Sequence, residues 1–196
     1  MTTKKSKLGF TLLETVVSLG VITSAVVGPV YLITRGIYSA SFSKNRLVAT
    51  NLAQEGIEAV RTVRENNILC NFLNSGTPVW SWITSSQGSG TMLGTQLTSD
   101  TSQTDTIICN GNQLKNPQIR NNIGCGTAIK INSSGQYGYN ATADTIFKRC
   151  VDITQPSSGE GLIPAEDILD IISTVTWTER NQDKSAVIQE RLYNWR

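Results

Sequence analysis

Glu14 is a lone carboxylate at the leading edge of an apolar run, and its nearest charged neighbours in the chain are Lys7 and Arg35. A carboxylate at the lip of such a segment is costly without a cation, so its chemistry is ion pairing with a partner. Cys70, Cys109, Cys125 and Cys150 are the second set. An even number on the outer side of a membrane favours disulfides, with three pairings open. Cys109 and Cys125 bracket an Asn- and Gly-rich loop, whose closure is worth about 3 kcal/mol. That pairing leaves Cys70 for Cys150. Zinc is the alternative, but no Cys-x-x-Cys occurs and the chain has no histidine.

The missing histidine also removes His triads, Cys–His pairs and His–metal centres. Glu166, Asp167 and Asp170 are the densest carboxylates. At a strand entry they read as solvated charges rather than a catalytic dyad. Asp100 and Asp105 lack calcium-loop spacing, and SSQGSG lacks the strand–turn–helix context of a nucleophile elbow or phosphate loop. No enzyme, cofactor or metal is expected.

Glu14 is positioned by a helix. The twenty residues Thr15 to Thr34 carry no charge and, at about 1.5 Å each, span roughly the 30 Å core of a bilayer. Lys4, Lys5 and Lys7 place the leading end on the cytoplasmic side and the rest outside. A secretory signal would have a shorter apolar stretch and a clearer small-residue site. A lipoprotein signal needs an early cysteine, and the first here is Cys70. Pro29 removes an amide and favours a kink. A second helical stretch, Arg46 to Asn67, is amphipathic. Val48, Leu52, Gly56, Ala59 and Val63, with Ala49, Ala53, Ile57 and Val60, form one broad stripe. Its small residues would let a sheet approach closely.

The remainder reads as a head of strands. Asn74 to Asp105 is Ser-, Thr- and Gly-rich and reads as a long loop, anchored by Trp80, Trp82 and Ile83 rather than offering a carbohydrate platform. Thr127–Asn132 and Tyr137–Tyr139 flank SSGQ as a hairpin. Thr145–Thr154 alternates loosely. Ile168–Trp177 is the strongest strand, with Leu169, Ile171, Val175 and Trp177 on one face. Past the polar turn ERNQDKS, Ala186–Trp195 reads as its antiparallel partner. The fold class is α+β: a long N-terminal helix with its outer half packed on an antiparallel sheet. The predicted divisions are a leader (1–9), a transmembrane or filament-core helix (10–35), an amphipathic helix (36–67) and a β head (68–196).

Gly9 to Glu14 (GFTLLE), following a short lysine-bearing leader, resembles the class III signal of type IV pilins and of type II secretion pseudopilins. The ending, TWTER with a return strand closing in LYNW, looks more loosely like that of minor pilins. The resemblance implies cleavage between Gly9 and Phe10 by a prepilin peptidase, N-methylation of Phe10, and a role for Glu14 in subunit assembly. It implies as partners other pilin subunits and an inner-membrane assembly platform. One departure concerns the kink: many pilins have their proline at the position of Tyr31, whereas here it is Pro29.

Cleavage would expose an amine at Phe10, about 6 Å along the helix from Glu14. The amine of a neighbouring subunit would then complement Glu14 and fix one axial stagger. The charge balance changes too. The full chain has 17 basic and 15 acidic residues. Without the three leader lysines it has 14 and 15, a net of −1, so nothing suggests nucleic-acid binding. The expectation is a non-catalytic minor pilin or pseudopilin, made as a single-pass inner-membrane precursor with its head outside. The alternative is a single-span anchored binding protein that never polymerises.

Overall fold

The computed structural model describes residues 9, 11–74, 81–83, 94–121 and 125–194, with side chains at 9, 11–74, 81–83, 104–119 and 125–194. The lysine-bearing leader, Phe10, Trp80 and Trp195 lie outside the described residues. The architecture is α+β: one long helix, α1 (Leu12–Leu73), and antiparallel strands. Residues 1–45 and 46–196 form two compact units.

In the first unit α1 is the only regular element described, and every described side chain from Gly9 to Lys44 is exposed. Its sequence is apolar and rich in β-branched residues, and Pro29 sits within it. Having no N–H, Pro29 leaves the Ala25 carbonyl without its usual partner.

Among the described residues the second unit holds seven strands: β1 (Gly94–Cys109), β2 (Asn112–Asn121), β3 (Ala128–Ile131), β4 (Tyr137–Gly138), β5 (Ala143–Thr154), β6 (Ile168–Glu179) and β7 (Gln182–Tyr193). β5 is the hub. One edge pairs with β6, which in turn pairs with β7. The other edge is shared, with β3 on its first half and β1 on its second. β2 lies outside β1 and β4 outside β3. The alternation expected for β6 is present: Leu169, Ile171, Ser173, Val175 and Trp177 are all buried. On the facing stripe of α1, Ala49, Leu52, Ala53, Gly56, Ile57, Ala59, Val60 and Val63 are buried, and Val48 is half-buried. Helix and sheet share two apolar clusters, one around Val60, Val151 and Ile171, the other around Leu52, Phe147 and Trp177.

Gly56 lies where the two layers come closest. A Cβ there would be 2.7 Å from Ser173 Oγ and 3.0 Å from Val151 Cγ2. Beside it Arg149 is fully buried, donating to the Leu52 carbonyl at 3.0 Å and to the Glu55 carboxylate at 3.2 Å. A buried guanidinium is tolerable only with such partners.

Four sequence expectations need correction. The helix does not stop at Asn67 but continues to Leu73. Asparagine favours helix ends by bonding to local backbone, yet Asn66 Nδ2 donates instead to Lys115 O and Asn116 Oδ1, and Asn67 Nδ2 to Trp82 O. Of the expected loop 74–105, residues 94–105 belong to β1, and the Asn-rich stretch after Cys109 is β2. The turn ERNQDKS contracts to Arg180-Asn181, both with positive φ (52° and 62°), so β7 begins at Gln182. The disulfides are Cys70–Cys109 and Cys125–Cys150, not Cys109–Cys125 with Cys70–Cys150.

The Cys70–Cys109 pairing follows from the first two. The longer helix brings Cys70 to Cys109 at the end of β1, with Cα atoms 5.3 Å apart. The β1–β2 hairpin turns at Asn110-Gly111, with φ of 48° and 78°, a pair suited to a two-residue turn. Asn110 Nδ2 donates to Leu73 O at 2.8 Å, so the turn also caps the helix.

Candidate functional site

The residues singled out for chemistry lie at the start of α1. Gly9 is exposed and belongs to no helix or strand, and Phe10 lies outside the described residues. Helix formation begins at Thr11. Its carbonyl accepts from Thr15 N at 3.2 Å and its hydroxyl from Glu14 N at 3.3 Å. Thr11 is thus the N-cap and Glu14 stands in the first turn, where a carboxylate complements the positive end of the helix dipole. The sequence signal is T-x-x-E, the spacing of a capping box. Local capping accounts for an acidic residue in this turn, but it leaves the exposed carboxylate able to meet an external cation.

The next turns present a surface that water does not favour. Leu12, Leu13, Val16, Val17, Leu19, Val21, Ile22, Val26, Val27, Val30, Leu32 and Ile33 are all exposed. Leu12 is 82% exposed and Leu32 69%. Four of the hydroxyls between them bond to the helix's own carbonyls. Thr15 Oγ1 donates to Leu12 O at 2.8 Å, Thr23 Oγ1 to Leu19 O at 2.9 Å, Ser24 Oγ to Val21 O at 2.9 Å and Thr34 Oγ1 to Val30 O at 2.8 Å. Hydroxyls satisfied within the helix can enter hydrocarbon without the cost of an unmade hydrogen bond. The helix is long and apolar enough to cross a membrane, and none of its most apolar stretch is buried. A single N-terminal helix of this kind is compatible with a single-pass anchor.

On the head, the Asp167 and Asp170 carboxylates of the acidic cluster with Glu166 are taken up by structure. Asp170 holds Arg191 through both oxygens, at 2.5 and 2.8 Å, and Glu160 also contacts Arg191. Asp167 Oδ1 accepts from Asn194 Nδ2 at 2.8 Å, and Gln155 Nε2 donates to the Glu166 carbonyl at 3.0 Å. The hydrogen bond to Asp170 holds the Arg191 guanidinium above its ordinary range. Tyr193 donates to Glu160 Oε2 at 2.7 Å, and that bond raises the phenol above its usual value. These side chains fasten β7 and the 155–167 loop to β6, a role not visible in the sequence. Arg61 does likewise between α1 and β7: it reaches Glu190 at 2.5 Å and Glu58 at 2.6 Å. The bond to Glu190 raises its pKa.

Asp105 accepts from Gln118 Nε2 at 2.9 Å within the β1–β2 ladder, while the side chain of Asp100 lies outside the described residues. Trp82 is buried in the helix–sheet core, its ring 5.9 Å from the Arg64 guanidinium, and so is placed as an anchor. Among the described residues no group of three or more His, Cys, Asp or Glu could hold a metal ion.

No family model matches this chain, and neither the curated proteins nor the solved structures contain a match to it.

Proposed function

We propose that the chain is a minor pilin or pseudopilin: a structural, non-catalytic subunit held in the inner membrane as a precursor, cut between Gly9 and Phe10 by a prepilin peptidase, methylated at Phe10, and assembled into a type IV pilus or a related secretion or competence filament. The observation that carries the reading is the first part of α1. It is a fully exposed apolar helix, free of charge from Thr15 to Thr34, with Thr15, Thr23, Ser24 and Thr34 bonded to its own carbonyls and one exposed carboxylate, Glu14, in its first turn. A bilayer covers such a surface in the precursor, and neighbouring helices cover it in a filament. The GFTLLE signal and the α+β head support the same reading.

Within it, Glu14 pairs with the Phe10 amine of an adjacent subunit and selects one axial stagger. N-terminal sequencing of the mature protein tests the reading. Methylated Phe10 is expected. An intact leader would favour a non-polymerising anchored binding protein, and a terminus beyond Ser24 would point to release by signal peptidase. Glu14→Ala is expected to insert in the membrane but not to enter filaments; normal incorporation of that variant would refute the role given to Glu14.

A further inference from the structure

We propose that the segment Tyr31 to Lys44 docks on anionic phospholipid headgroups at the outer face of the membrane, a proposal that rests on the membrane reading above. If Thr15–Thr34 fills roughly 30 Å of hydrocarbon, Arg35 emerges at the first position beyond it. Its guanidinium lies 4.9 Å from the centroid of the Tyr31 ring. A cation stacked on an aromatic ring at this depth is suited to the headgroup boundary, where the ring's polar edge and the charge both remain wet. Tyr31, Arg35, Tyr38 and Phe42 step by four, three and four residues and so share one helix face.

Ile37 and Tyr38 follow about 4 to 6 Å further out, inside a headgroup zone roughly 5 to 8 Å deep. Ile37 is 63% exposed and Tyr38 46%. In water their apolar surface would stay hydrated, whereas at the interface it is partly covered. Lys44 lies roughly 15 Å beyond the hydrocarbon edge, close enough for its long side chain to feel the anionic surface within a Debye length of about 8 Å.

The charge pattern selects the partner. From Thr15 to Gln54 the sequence contains no acidic residue, so Arg35 and Lys44 have no carboxylate in this stretch. Cations on the exported flank also oppose the bias by which Lys4, Lys5 and Lys7 orient the chain. Anionic headgroups supply an attraction that offsets this opposition.

The test uses the full chain with a nitroxide on Ser41→Cys, reconstituted in phosphatidylcholine vesicles with or without phosphatidylglycerol. Accessibility to a water-soluble relaxant is compared between the two. Phosphatidylglycerol is expected to shield the label, high salt to restore access, and Arg35→Gln with Lys44→Gln to abolish the difference. Arg35 should shift the docked-to-free ratio about five-fold, and Lys44, farther from the headgroups, by less. Equal access in both vesicle types, or shielding that the double substitution leaves intact, overturns the proposal. A second label on Val27→Cys separates the two levels: it must be lipid-buried in both vesicle types, and a water-exposed Val27 label overturns the membrane reading itself.

Discussion

Gly56→Ala tests the closest approach of helix to sheet, because two effects there oppose each other in sign. Replacing glycine by alanine within a helix is worth about 1 kcal/mol of stability from backbone entropy alone. At this position the added Cβ would sit 2.7 Å from Ser173 Oγ, 3.0 Å from Val151 Cγ2 and 3.3 Å from Arg149 Cδ. All three belong to buried residues on β5 and β6, so the layers must part or the side chains leave their rotamers. Overpacking of this kind costs about 1–3 kcal/mol.

The balance is a destabilisation of about 0–2 kcal/mol, or a fall in Tm of up to roughly 6 °C for a protein of this size. Propensity acting alone would instead raise Tm by about 3 °C. Thermal unfolding of the full chain by circular dichroism separates the two. Ser173 supplies the internal control, since its hydroxyl is buried without a hydrogen-bond partner among the described residues. Ser173→Ala removes the shortest contact, so Gly56→Ala should cost less in that background, with a coupling of at least about 0.5 kcal/mol. The reasoning fails if Gly56→Ala raises Tm equally with and without Ser173→Ala.

Three further outcomes follow from other contacts. Non-reducing peptide mapping should recover Cys70–Cys109 and Cys125–Cys150, and removal of each bond should lower stability by about 4 and 3.5 kcal/mol for spans of 39 and 25 residues. A Cys109–Cys125 peptide would overturn the longer helix and the β1–β2 hairpin together. Glu55→Ala strips a carboxylate from the buried Arg149 and should reduce the urea midpoint more than Arg149→Met, which removes the charge with its side chain. Tyr193, whose pKa is raised by its bond to Glu160, contributes stability that is complete below its ordinary value of 10.0 and is lost as pH rises through the higher folded value. Tyr193→Phe should therefore remove one component of the alkaline loss in a pH–stability curve, and an unchanged curve would count against the bond.

The parts of the fold that were legible carry their signal locally. The stripe from Val48 to Val63 and the alternation from Leu169 to Trp177 were readable because burial on one face repeats with the element's own period. The missed strand β2 has no such repeat. NQLKNPQIRN is polar, contains Pro117 and buries only Asn116 and Ile119 among its described side chains. It survives as an edge strand, the place where a proline is tolerated, and is held by its ladder to β1 and by Asn66 reaching Asn116. The first half of β1 is similarly polar and is held by its ladders to β2 and β5. At the candidate site, Glu14 was legible as an isolated charge, whereas Thr11 as its cap required reading the same four residues as a helix start.

The sequence by itself determined the charge-free span, the position of Glu14 just before it, and the apolar faces of α1 and β6. These are statements about residue order along one element, and local periodicity suffices to read them. Only the tertiary structure decided which cysteines meet, where the helix ends, and why residue 56 is a glycine. Each of those depends on which distant residue arrives opposite: Cys109 at Cys70, Asn116 at Asn66 and Ser173 at Gly56. Spacing along the chain carries no record of such encounters, because the connections between elements set them and the sheet register fixes them.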